Sequence, residues 1–179
     1  GNLAAGSVAV TGAATLGGNV TTTGAQSYGS TTLTSDVALA GSSLMLNNVT
    51  GGGNDLTLTG ATTAGSITGV DTLRSAAGTT ITASSLAVTN GNFGGNVATT
   101  GAQTYTGSLT TANGVSLTAS SLSAGNASLG GDVTTSGAQT YGPLAPTNGI
   151  TLQSTTAGTI AMGPVTGGRD LTVSTAGIA

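Results

Sequence analysis

The chain has 179 residues, 32 of them glycine, with only 4% charged and 2% aromatic side chains; two arginines against five aspartates set its formal charge at −3. Large side chains are too scarce for an ordinary globular core, yet the chain lacks the charge of a disordered one, so its many Val, Leu, Ile and Ala residues must be buried in some narrow way. Without His, Cys, Lys or Glu, it excludes thiolate chemistry, disulfides, zinc sites of the usual ligand sets and histidine triads, and it offers a nucleic-acid backbone almost nothing to grip.

In chain order, the opening GNLAAGSVAV lacks the basic start of a signal peptide, and no run of about 18 apolar residues follows anywhere to span a bilayer as a helix. The chain begins in mid-pattern and is read as a processed product or fragment of a longer protein. At 17–29 comes GGNVTTTGAQSYG, which returns as GGNVATTGAQTYTG at 94–107 and GGDVTTSGAQTYG at 130–142, so that Tyr28, Tyr105 and Tyr141, the only tyrosines, share one phrase. A second phrase, VTGGGNDLTL at 49–58, recurs as VTGGRDLTV at 165–173, placing Asp55 and Asp170 alike in a turn that tolerates an inserted glycine. A worn copy of the first phrase is read at GVDTL, 69–73, with Asp71 in place of Gln and Leu73 in place of Tyr.

Between the phrases, apolar residues alternate with Thr or Ser, as in Leu56 and Leu58 around Thr57, Val115 and Leu117 around Ser116, and Ile150 and Leu152 around Thr151. Alternation of period two, bounded by Gly, Asn and Ser, predicts one short strand after another. Glycine at this density costs a helix about 1 kcal/mol at each interior position, which excludes helix. The 36-residue interval between Gln103 and Gln139 divides into two coils of about 18 to 20 residues, the size of one rung of a parallel β-solenoid. The predicted fold is all-β: a right-handed parallel β-helix of about nine rungs, 1–179 being a single segment without caps, roughly 43 Å long at the spacing of hydrogen-bonded strands. Alternate apolar residues face inward, and glycine and asparagine supply corners of positive φ.

The phrase is then architectural. Gly24, Gly101 and Gly137 are expected to take left-handed corners, and Gln26, Gln103 and Gln139 to bond backbone groups at the bend. The three tyrosine rings are expected over a corner or the outer wall, with their hydroxyls in water.

The alternating GGNVTTTGAQSYG and VTGGGNDLTLTG phrases resemble the repeats of secreted bacterial exoproteins of the filamentous-haemagglutinin type, exported by two-partner secretion or as autotransporters. The resemblance covers nearly the whole chain. It implies a right-handed parallel β-helix at the bacterial cell surface or outside the cell, acting in adhesion or biofilm, with surface glycans or proteins as partners. Separately, the uncapped strand edges of such a rod are expected to stack on neighbouring rungs of the same or identical chains.

Other chemistry finds less support in the residues. GGGNDLTL is similar to the calcium-binding nonapeptide of β-rolls, but Thr50 and Thr57 break the pattern, no tandem copy follows, and one carboxylate cannot complete a site of six to eight oxygens. No metal, cofactor or catalytic residue is assigned. A carbohydrate-active solenoid would need its acids gathered on one face; in a structural rod, Asp55, Asp71 and Arg74 should scatter over separate corners. The triplets Thr32-Leu33-Thr34, Thr57-Leu58-Thr59 and Thr80-Ile81-Thr82 have the look of an ice-binding array, but their spacings of 25 and 23 residues do not place one on every rung. The sequons at Asn19, Asn48 and Asn126 follow from the abundance of Asn and Thr.

Overall fold

Short alternating runs with Gly, Asn or Ser at each break can hydrogen-bond only sideways, to a neighbouring turn of the same chain, and this is the arrangement found. The computed structural model describes residues 1–176. Those residues are all-β, in 24 strands paired in parallel, and contain no helix. Successive coils lie about 18 residues apart and there are about ten of them, which makes the chain a β-solenoid. The extra coil relative to the expected nine reflects an average at the short end of the anticipated 18 to 20 residues, because the 16-residue coils from Ile81 to Val97 and from Leu117 to Val133 offset the longer ones from Val97 to Leu117 and from Leu152 to Val173.

Each coil has three faces. Face 1 carries Leu3–Ala5, Val20–Thr22, the first halves of Val37–Leu46 and Leu56–Ala64, then Thr72–Ser75, Asn90–Phe93, the second halves of Gln103–Thr111 and Leu122–Leu129, and Leu144–Pro146. Face 2 carries Val8–Val10, Gln26–Tyr28, the remaining halves of Val37–Leu46 and Leu56–Ala64, Ile81–Ala83, Val97–Thr99, Leu117–Ala119, Val133–Thr135, Ile150–Ser154 and Leu171–Thr175. Face 3 carries Ala14–Leu16, Thr31–Leu33, Val49–Thr50, Ser66–Thr68, Ser85–Val88, the first halves of Gln103–Thr111 and Leu122–Leu129, Gln139–Tyr141 and Ile160–Met162.

The core is a set of apolar columns. Leu56, Leu58, Val115, Leu117, Ile150 and Leu152 are all buried, as their alternation requires. The one Phe, Phe93, meets Tyr105 edge-on with ring centroids 5.9 Å apart, a favoured aromatic geometry. Gly91 makes room for them: a Cβ there would stand 2.7 Å from ring atoms of both.

Corners are held differently from the expectation. Among the described residues none other than glycine has positive φ, so asparagine does not supply left-handed bends there. Instead, Asn and Asp side chains accept backbone N–H groups from the next coil: Asp55 N–H to Asp36 Oδ1 at 2.9 Å, Thr72 N–H to Asp55 Oδ1 at 3.0 Å, Ser108 N–H to Asn90 Oδ1 at 2.9 Å, and Thr151 N–H to Asp132 Oδ1 at 2.7 Å. Short acceptors at a bend satisfy N–H groups that the strand ladder leaves over.

Candidate functional site

The recurring phrase folds into the same small box at Gln26 and Gln139, and at Gln103 it keeps only part of it. In GGNVTTTGAQSYG the chain turns from Val20–Thr22 on face 1 to Gln26–Tyr28 on face 2. Gln26 is fully buried, and its Nε2 donates to Val20 O (3.1 Å), Thr22 Oγ1 (3.3 Å) and, in the following coil, Ala40 O (2.7 Å). Tyr28 O–H donates to Gln26 Oε1 at 2.9 Å, and Thr22 Oγ1 to Gly24 O at 2.7 Å. The box at Gln139 repeats this, with Nε2 donating to Val133 O, Thr135 Oγ1 and, one coil on, Gln153 O, while Tyr141 donates to Gln139 Oε1 at 2.8 Å. At Gln103 the amide reaches Thr118 O at 3.0 Å and accepts from Tyr105 at 3.0 Å. The glutamines bond backbone at the bend, as expected.

Two expectations about the phrase are corrected. The tyrosines do not lie on the outer wall with wet hydroxyls: Tyr28, Tyr105 and Tyr141 are 4%, 1% and 3% exposed. A buried amide oxygen at the position two residues earlier gives the phenol a partner inside, so the ring can be used as core. Burial pushes all three phenols above the ordinary tyrosine range, and at Tyr105 the nearby Tyr141 adds to the effect. Nor do Gly24, Gly101 and Gly137 take positive φ. They are needed for close approach, since their N–H groups donate at 2.7 Å to Gly6 O, Ser84 O and Ser120 O of the coil before. A Cβ would come within 2.7 to 3.0 Å of those same oxygens.

The copies do not share one corner either. Gln103 and Gln139 stack two coils apart on face 3, but Gln26 lies on face 2. The second phrase shifts in the same way, with Leu56 on face 1 and Leu171 on face 2. The worn copy does not form a box: Leu73 is buried on face 1, while Asp71 stays half-buried at the bend before it. Asp55 and Asp170 do share a role, their carbonyls accepting the N–H of Val37 and of Ile150, each at 3.0 Å.

Charges gather rather than scatter. Asp36 and Asp55 stack at the start of face 1, Asp71 precedes the next strand there, and Arg74 Nη2 lies 3.8 Å from Asp55 Oδ2. This corrects the expectation of separate corners: a 17-residue coil puts Thr72, next to Asp71, directly over Asp55. The corner is nevertheless engaged structurally, because Asp36 and Asp55 each give an oxygen to the ladder, and the exposed ion pair contributes little. Among the described residues no acidic group of three is placed to hold a metal ion. Two hollows lie elsewhere, one of about 270 Å³ on face 1 beside Asn126 and Pro143, and one of about 390 Å³ beside Tyr28 and Met45; neither is lined by a charged side chain.

One array was missed in the sequence. The Thr triplets fall on three different faces, but single outward residues stack on face 3: Thr15, Thr32, Thr50, Thr68, Ala87, Thr104, Ser123, Thr140 and Ala161, one per coil and in register. Their spacing of 17 to 21 residues was the available signal, hidden because no two neighbouring coils need be equally long. Searches against family models, curated proteins and solved structures gave no match to this chain.

Proposed function

We propose that the chain is a non-catalytic structural β-solenoid module of a secreted bacterial surface adhesin or extracellular fibre, acting in adhesion, cell–cell association or biofilm. The observation that carries this reading is that the distinctive phrase is spent inside. Its three glutamines are fully buried, its tyrosines nearly so, and among the described residues no buried side-chain N or O atom lacks a partner. A ligand-reading motif would present such groups outward. The repeats serve to lock coil upon coil, which is what a long stiff rod requires.

The carbohydrate-active alternative rests on the gathered Asp55, Asp71 and Arg74. Displaying the chain on non-adherent bacteria and substituting Asp55→Asn and Asp71→Asn tests both readings: cell aggregation and biofilm mass are expected to stay unchanged. Release of reducing ends from a panel of polysaccharides, abolished by either substitution, overturns the structural reading in favour of the catalytic one.

The column on face 3 supports a second reading, an ice-binding solenoid. Its Thr and Ser hydroxyls, interrupted only by Ala87 and Ala161, repeat at the strand spacing of about 4.8 Å along a parallel sheet. Thermal hysteresis and inhibition of ice recrystallisation by the purified chain, lost in Thr50→Lys and Thr104→Lys, are the expected results for that reading; ice growth unaltered by the unsubstituted chain removes it.

A further inference from the structure

Three Asn-Gly pairs occur in the chain, Asn90-Gly91, Asn113-Gly114 and Asn148-Gly149. Such pairs can convert spontaneously: the backbone nitrogen of the glycine attacks the Asn Cγ, the side-chain nitrogen leaves as ammonia, and water then opens the cyclic imide at either carbonyl to give aspartate or isoaspartate. The attack needs a glycine nitrogen free of a hydrogen bond and an Asn side chain free to turn towards it. The fold treats the three pairs very differently.

Asn90 sits within the strand Asn90–Phe93, and its Oδ1 accepts both Ser108 N–H and Ser108 O–H at 2.9 Å, while Gly91 is buried. At the second pair, Gly114 N–H donates to Gly130 O at 2.7 Å and Asn113 Oδ1 accepts from Thr147 O–H at 3.2 Å. Asn148 and Gly149 are both exposed, on a bend between Leu144–Pro146 and Ile150–Ser154. Hydrogen bonds hold the residues on either side, Thr147 N–H to Leu129 O and Ile150 N–H to Asp170 O, but none engages Gly149 N–H or the Asn148 side chain among the described residues.

We propose that Asn148 is a selective deamidation site, and that the solenoid protects the other two pairs. Conversion puts a new carboxylate next to Gly149, which packs beside Asp170, and as isoaspartate it lengthens the backbone at the entry to Ile150–Ser154, the strand on which Leu171–Thr175 stacks.

The experiment is incubation of the folded chain at mildly alkaline pH, followed by peptide mapping and isoaspartyl methyltransferase labelling, with a urea-unfolded sample alongside. In the folded chain Asn148 is expected to convert at least about tenfold faster than Asn90 or Asn113, because those must first open locally; in urea all three should convert at similar rates. Gly149→Ala, whose Cβ meets nothing closer than 3.9 Å, should slow Asn148 while leaving the fold intact by circular dichroism. Asn90 or Asn113 keeping pace with Asn148 in the folded chain, or Asn148 staying intact there while it converts in urea, overturns the proposal.

Discussion

A glutamine amide has two N–H donors and an oxygen acceptor, and in an apolar core each of these must find a partner. The box around Gln139 solves this by giving the oxygen to Tyr141 and the nitrogen to three acceptors. Replacing Gln139 by Leu strands the Tyr141 hydroxyl and is expected to cost about 1–3 kcal/mol; adding Tyr141→Phe should restore part of that loss, since both partners of the bond are then gone. Denaturant midpoints of the two single variants and the double variant measure the coupling. The buried phenols also predict a pH response. Their folded pKa values lie above the ordinary value of 10.0, so the stability they permit is fully present below about pH 10 and is lost as pH rises further, when the unfolded chain releases protons that the folded chain retains. The melting temperature should fall above that pH, and fall less steeply in Tyr105→Phe. The sequence made the glutamine's work legible because an amide in a glycine-bounded bend has few uses. It did not make the tyrosine's burial legible, because a hydroxyl looks like a surface group until the acceptor two residues earlier is seen to point inward with it.

At the level of strands, inside and outside were readable from alternation alone. Leu58 and Leu117 are 0% and 1% exposed, while Thr57 is half-buried and Ser116 exposed. Truncating either leucine to Ala should cost roughly 2–5 kcal/mol. Thr57→Ala or Ser116→Ala should cost much less, Ser116 keeping its backbone bond to Asn96 Oδ1 in any case. Equal losses of denaturant resistance in the two classes would contradict the packing described. Gly101→Ala should also destabilise, although its backbone is unremarkable, because the added carbon would press on Ser84 O at 2.7 Å. That contact lies between coils, so no local reading of GAQTY reveals it. Register between coils was the missing quantity throughout: it hid the threonine column on face 3 and the assembly of Asp36, Asp55 and Arg74 at one corner.

Across the whole molecule strand pairing joins each coil only to the coils beside it, with side-chain bonds such as Thr147 to Asn113 reaching two coils away, so stability is built mainly from nearest-neighbour terms. In this chain Leu3 in the first coil and Val165 and Val173 in the last described coil are 48%, 46% and 47% exposed, whereas the inward leucines of the middle coils are buried. Hydrogen exchange should therefore be slowest for amides of the middle coils and fastest in the outer ones; uniform protection along the rod would show that it opens only as one unit. The number of coils was nearly legible in the interval between Gln103 and Gln139, which spans two of them. The interval from Gln26 was misleading, since it covers four coils and one further face. That extra third of a turn bears on avidity. Repeated binding motifs gain strength when their copies can engage one surface together, and the gain disappears when geometry forbids it. Copies on face 2 and face 3 look out in different directions, so a flat partner could never meet both at once. The three copies therefore cannot act together as one multivalent face, whereas each one does fit the coil above and below it.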